Sequence, residues 1–444
     1  MRNLFLIVFF CSPIIIIAQN DFSFTIEGQG IYSNESENPF WFTTNQYGRL
    51  SPETSFIGLA EANYTYEGND QEFEIGGGLL YRDGIDDGVK LDQIFASYTY
   101  KWFKATAGFK HRDEKLMGLS SVGGDIIWSN NARALPGVIL ETSRPVKISD
   151  WLAFRATLAH YELNDDRFVK DAHLHHKSLY IDFAISPDDV ISAGLRHYVQ
   201  WGGTSPVTGP QPDSFSDFLK IFAGQEGGNN ASESDQINAL GNHLGSYSLE
   251  YRMDRDDYNI QFYHQTLFED SSGRELNNFP DGVWGIFYQP KFSSFISGLL
   301  YEYVQTVSQS GRPIPNNDGI YRGGDNYFSS GVYRSGWTYE GRIIGLPFIL
   351  INDDGLGIKS NRSYVHHLGI AGSFWKINYK LKGTYAKYLG RYFFPQEPNQ
   401  EAVYGYGEFT YSSDFGNFTL LTGGDYSKNS DNILGVGLKY AYTF

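Results

Sequence analysis

The sequence predicts an all-β chain folded as a single transmembrane antiparallel β-barrel of about 18 strands, with long extracellular loops and short helical plug elements. Three observations predict it. Segments in which apolar and polar residues alternate recur roughly every 10 to 25 residues from Phe22 to the end, and most supply the ~9–11 residues of a tilted spanning strand. Beyond the N-terminal apolar run, no stretch is apolar over the ~20 residues of a transmembrane helix, and mean hydropathy is negative. The chain nevertheless holds 32 Tyr, 33 Phe and 49 Gly, the usage that lipid-facing strands around a wet lumen produce.

The elements follow in order. Residues 1–18 read as a cleavable secretory signal: Arg2 is the positive start, 4–17 the apolar run, and Ile16 and Ala18 fit the peptidase. The run is too short to span a membrane, and Phe10 before Cys11 argues against lipid modification. Cleavage removes the only cysteine, so the mature chain, 19–444, forms no disulfide. Strands are expected at 56–66, 72–81, 93–102, 103–110, 152–163, 178–185, 190–198, 244–252 and 258–268. Later ones are expected at 296–304, 328–339, 368–377, 381–389, 403–411, 417–424 and 433–444. No Pro/Ser-rich hinge, low-complexity tract or exact repeat divides them, which favours one barrel domain.

In the last segment Leu434, Val436, Leu438, Tyr440, Tyr442 and Phe444 share one face, and Gly435, Gly437, Lys439, Ala441 and Thr443 the other. A terminal Phe with aromatics two and four positions before it resembles the signal that outer-membrane insertion machinery reads. So apolar a face on an exposed strand would make a soluble protein aggregate. The connection at 412–417 is a tight turn, and 391–401 and 425–432 read as polar loops. Three connections are long (111–137, 202–241 and 306–327), and loops of that length usually carry function. Within the second, Phe215, Phe218, Leu219 and Phe222 predict a short helix on or in the barrel mouth, capped by Asp213, extendable to Ala223 and stopped at Gly224.

A formal net charge of −16 excludes nucleic acid as a partner class, because a phosphate backbone requires clustered Lys and Arg. Several motifs then point to a family. NARALPGV (131–138), HLHHKSLY (173–180), GLRHYVQWGG (194–203), GPQP (209–212), NALGNHLGSY (238–247), FEDSSG (268–273) and GWTYEGRIIGLPF (336–348) together resemble the Wzi family of outer-membrane capsule-assembly proteins, in its Bacteroidetes form. The resemblance implies a closed barrel of about 18 strands in a Gram-negative outer membrane. It also implies a lectin without enzymatic activity that holds capsular polysaccharide at the cell surface.

Trp201, Trp284 and Trp337 stand at or near strand ends, where aromatic faces stack on sugar C–H faces or pack in the interfacial girdle. Tyr339 belongs to the same set. Arg322 and Arg334, with Arg342, offer forks for uronic carboxylates; Asp318, Asp325 and Glu340 are near enough in sequence to pair with them instead. His243 with Ser246 suggests a base and a nucleophile, but no Gly-x-Ser-x-Gly elbow accompanies them. Glu269 and Asp270 are adjacent, and neighbours on a strand diverge, against the ~5–9 Å that paired carboxylates need for glycoside hydrolysis. His173 and His175, with Asp171, share a strand face but lack a further ligand at metal spacing, so a luminal cluster with His176 is expected and no metal or cofactor. Asp83, Asp86 and Asp87 read as an acidic hairpin tip rather than a calcium loop.

The sequence thus points to a non-enzymatic lectin that attaches or organises capsular or exopolysaccharide, with Trp201, Trp284, Trp337, Tyr339, Arg322, Arg334, His243, Glu269 and Asp270 as the polysaccharide-binding set. A porin or specific sugar channel is the alternative, and a barrel hydrolase the third reading. Expected partners are the polymer, outer-membrane lipid and lipopolysaccharide, and the insertion machinery. A closed barrel leaves no strand edge to pair, so a monomer is expected.

Overall fold

The structure is a computed structural model and describes residues 19–84, 87–228, 239–269, 271–292, 295–310, 325–428 and 430–444. The expected leader, Asp86, Asp270, Asp318 and Arg322 lie outside the described residues. Among those residues eighteen antiparallel strands close into one barrel. They are β1 Gln19–Ser33, β2 Phe56–Glu67, β3 Gln71–Arg82, β4 Gly88–Tyr100, β5 Phe103–Phe109, β6 Gly137–Thr142, β7 Leu152–Leu163, β8 Ala172–Ser186 and β9 Asp189–Trp201. The circuit continues with β10 Asn242–Asp254, β11 Tyr258–Gln265, β12 Gly282–Pro290, β13 Gly298–Gln305, β14 Ser363–Phe374, β15 Ile377–Arg391, β16 Phe394–Ser413, β17 Gly416–Ser427 and β18 Ile433–Thr443. Each strand pairs with its sequence neighbours; after a break, Val146–Lys147 resumes the pairing of β6 with β7. The register Thr25↔Thr443 to Ser33↔Gly435 joins β1 to β18 and closes the circle.

The alternation expected of the last strand is observed. Leu434, Val436, Leu438 and Tyr440 are exposed on the outer face, and Gly437 between them is buried. The same phase leaves Leu158, Leu179, Leu195, Leu249 and Phe262 exposed, the apolar band a bilayer covers. An even strand number puts both termini on one side, the side of the short turns, which in such barrels is periplasmic. The long connections open outward. Among the described residues no helix is long and apolar enough to cross a membrane.

Three expectations change. The alternating run 328–339 is not a barrel strand: Phe328, Tyr333 and Trp337 are buried inside the barrel, in a connection from β13 to β14 that covers 306–362. Its alternation reflects burial in a luminal core, which a period of two cannot distinguish from a lipid face. The polar stretch 391–401 is no loose loop. Strands β15 and β16, of 15 and 20 residues, exceed the ~9–11 needed to span, so their hairpin stands above the membrane. Pro395 and Pro398 fall where β16 has passed the end of its β17 pairing at Ala402, on an edge that tolerates a missing N–H. The short helix exists as α1, Phe215–Ala223, but Ser214 caps it rather than Asp213. Ser214 and Asp217 form a capping box, and Gly224 ends the helix with φ 65°.

Candidate functional site: a plugged lumen and two external faces

The core of the molecule lies within the barrel. The β5–β6 connection turns into the lumen and buries Leu119, Ile126 and Ile127 against Trp337, Ile344 and Phe348 of the β13–β14 connection. Each such side chain contributes roughly 1.5–3 kcal/mol by leaving water. The two connections are also bonded backbone to side chain. Trp337 Nε1 donates to Ile127 O at 2.7 Å, Asn131 Nδ2 to Ile343 O at 3.0 Å and Ser129 Oγ to Gly345 O at 2.8 Å. At Gly345 a Cβ would meet Ile127 O at 2.5 Å and Ile126 O at 2.7 Å, so only glycine allows this approach.

Inward-facing strand residues fix this plug to the wall. Buried Glu302 of β13 accepts from Ser120 Oγ, from Ser121 N and Oγ, and from Tyr263 OH, each at 2.6 Å. Gln265 of β11 accepts from Ile126 N at 3.0 Å and donates to Gly124 O at 3.1 Å. Asp125, also buried, accepts from the backbone N–H groups of Ile127 and Trp128 at 3.0 and 3.1 Å and pairs with Arg196 of β9 and Arg112. Burial alone would raise the Asp125 pKa, but the charges of Arg196 and Arg112 hold its carboxyl well below the usual carboxylate range. On the periplasmic side of the plug a cavity of about 620 Å³ remains, lined among others by Lys104, Lys115, Glu141, Arg155 and Glu250.

The structure disperses the residues singled out in the sequence. Trp337 and Tyr339 are buried in the plug, Tyr339 donating to Asn164 Oδ1 at 2.7 Å. Glu269 accepts from the backbone N–H of Phe328 and ties the β11–β12 connection to the plug. Arg342 donates to the carbonyls of Thr43 and Leu50, also inside. Trp284 is partly exposed on the outer rim, its ring 3.7 Å from that of His264 and its indole N–H on Pro280 O, the setting of an interfacial girdle. His243 also faces outward, 2.9 Å from His197, whereas Ser246 is buried on the inward face, so the suggested base and nucleophile are separated by the sheet. Asp83 accepts from the N–H groups of Ser55 and Phe56 and closes a hairpin end. Of the histidines expected to form one luminal cluster, only His176 is inside, stacked on Tyr198 at 4.1 Å.

His173 and His175 instead face outward beside His160, Glu162 and Trp201, the last buried under α1 through Phe218. Arg334 is exposed on the extracellular surface, with its guanidinium carbon 5.0 Å from the centre of the Phe168 ring. The carbonyl of Arg334 accepts from Gly357 N, and Gly390 O accepts from Asn361 and Arg362 N, so backbone hydrogen bonds tie the Arg334 turn to the β15–β16 hairpin. There Arg391 lies 4.4 Å from the Phe394 ring and Arg362 lies 5.2 Å from Tyr392, with Phe393 and Phe394 exposed. These three arginine–aromatic pairs include only one residue, Arg334, of the set expected from the sequence. The cluster RYFF at 391–394 is its visible signal in the sequence, hidden by the polar character of 391–401 as a whole.

Among solved structures the chain is similar to OccK3 (OpdO) of Pseudomonas aeruginosa, at 13% identity and a TM-score of 0.52, over 96% of each chain. It is also similar to OccAB4 of Acinetobacter baumannii, at 11% identity and a TM-score of 0.49, over 96% of this chain and 98% of that one. At such identity the likeness to OccK3 bears on the fold alone, the closed barrel. No curated protein matches the chain. The family model described as "Capsule assembly protein Wzi" matches residues 19–348, the whole wall from β1 to β13 and the plug that its motifs build. The chain therefore belongs to the Wzi family of capsule-assembly proteins and resides in the bacterial outer membrane.

Proposed function

We propose that this protein is a non-enzymatic lectin that holds capsular or exopolysaccharide on the cell surface. The observation that carries the reading is the set of three external arginine–aromatic pairs, Arg334 with Phe168, Arg391 with Phe394 and Arg362 with Tyr392. Aromatic faces accept sugar C–H faces, and guanidinium forks bind carboxylates bidentately. A long polymer contacts many copies of the barrel, so weak individual sites suffice for retention. Membership of the family and a lumen filled by its own hydrophobic core favour this role over that of an open pore. The barrel acts as a monomer, delivered by the insertion machinery and seated in lipopolysaccharide. The separation of His243 from Ser246 speaks against a hydrolase built on that pair.

A clean deletion strain tests the proposal. Polymer that is still made but moves from the cells to the medium is the expected result. Polymer that stays on the cells while uptake of a small solute falls would overturn it in favour of a channel using the 620 Å³ cavity.

A further inference from the structure

We propose that the outer rim of the barrel carries a site for a divalent cation of the zinc class, held by His160, Glu162 and His173. His160 and Glu162 are two apart on β7, and His173 and His175 two apart on β8. The register sets Glu162 opposite His173 and His160 opposite His175. A period of two sends all four to one face, the outer one; the interleaved Tyr161 and Leu174 are buried in the lumen. One ligand atom from each of His160, Glu162 and His173 lies within 4.8 Å of the other two, and His173 Nδ1 is 2.8 Å from Glu162 Oε2. Bonds of ~2.0–2.2 Å place the ligand atoms of tetrahedral zinc roughly 3.3 Å apart, so a shift of about 1.5 Å at one side-chain tip completes the set.

A second observation points the same way. Buried polar atoms normally find partners, yet Nδ1 of His160, a ligand of the set, has no hydrogen-bond partner. The surroundings fit a metal shell. The Trp201 ring packs 5.2 Å from His173 and 5.8 Å from His160, and Phe218 of α1 lies 5.2 Å from His175, so an apolar wall backs the imidazoles. Two neutral imidazoles and one carboxylate suit zinc; calcium and magnesium favour all-oxygen sets. Three protein ligands leave one coordination position on the side where the Glu162 side chain is 51% exposed.

The test uses the full barrel in detergent, free of any histidine tag and stripped with a chelator, titrated with zinc in a calorimeter. One equivalent should bind at micromolar or tighter concentration. Cupric ion, taken up by the same ligands, should quench indole fluorescence because Trp201 abuts two of them. Glu162→Gln and His160→Ala should each weaken zinc binding by roughly tenfold or more, while His366→Ala, at another part of the rim, should not. Unchanged heat-modified gel mobility of the variants keeps the comparison fair. Only millimolar binding by the parent protein, or equal affinity in parent and both variants, would overturn the site.

Discussion

The lumen and the outer rim at β7–β10 draw on similar residues, and they treat them differently. Inside, the acids that hold the plug are saturated, although Arg196 Nε and His176 Nε2 keep no partner: Glu302 takes four hydrogen bonds, and Asp125 takes two backbone N–H groups and two arginines. Even the indole of Trp337 is committed to a carbonyl. On the rim, His160 and Trp201 each keep a buried ring nitrogen without a partner. A saturated network specifies one arrangement and is a means of locking loops into a barrel. Unspent donors and acceptors beside solvent are capacity for a ligand. The plug is thus read as structure, and the external surfaces as the working parts.

The largest effect that can break this comparison is expected at Asp125. Asp125→Ala leaves Arg196 buried without its carboxylate, a loss of about 3–5 kcal/mol. Single-channel recording of the variant should show a steady open current where the parent is expected to show none; a variant that stays closed would remove Asp125 from the locking role. The pH dependence follows from the same residue. Its carboxyl is held lower in the folded than in the unfolded state, so its stabilisation is full above the unfolded value and is lost only as pH falls through the folded one. Closure should therefore persist from about pH 7 down to about pH 4, near the ordinary carboxylate value. Opening within that window would assign the lock to other groups.

Next in size is Gly345→Ala. The added Cβ meets two carbonyls of the β5–β6 connection and should cost about 1–3 kcal/mol as overpacking. Thermal unfolding followed by circular dichroism should show a lower midpoint. An unchanged midpoint would mean that the two plug segments yield more easily than their bonding suggests. Ser214→Ala should cost about 1 kcal/mol by removing the cap of α1, and its effect should stay on the rim. Hydrogen exchange should accelerate in 215–223 with no change at 119–128. Acceleration in both would couple the regions held separate here.

What was legible in the sequence divides along the same line. The wall was read from period-two alternation, since lipid on one side and a wet lumen on the other impose it on every strand. The motifs were also legible, but their role was not. Asn131, Trp337, Arg196 and Glu269 all anchor the plug, because loops folded inside a barrel need many fixed polar contacts. Residues chosen as sugar ligands for their chemistry, Trp337 and Tyr339, were consumed in that task. The histidine group was missed for another reason. Along their own strand His173 and His175 have no further ligand, and their companions His160 and Glu162 come from the neighbouring strand through a register that no single segment encodes.

The smallest effect per molecule, and the one that most sharpens the contrast, is expected on the extracellular surface. Arg391→Ala removes one arginine–aromatic pair from an exposed site and should change stability by less than about 0.5 kcal/mol. It should leave conductance closed, since nothing in the plug depends on it. A single hydrogen bond from the guanidinium to the polymer is worth about 1 kcal/mol, a factor of only a few in affinity for one repeat. Avidity multiplies that factor over every repeat engaged along the cell surface. The combined variant Arg334→Ala/Arg391→Ala should therefore shed polysaccharide into the medium while a Trp337→Phe variant, altered only inside, retains it. If the interior variant sheds polymer and the exterior one does not, binding belongs to the plug, and the division between structural lumen and working surface falls.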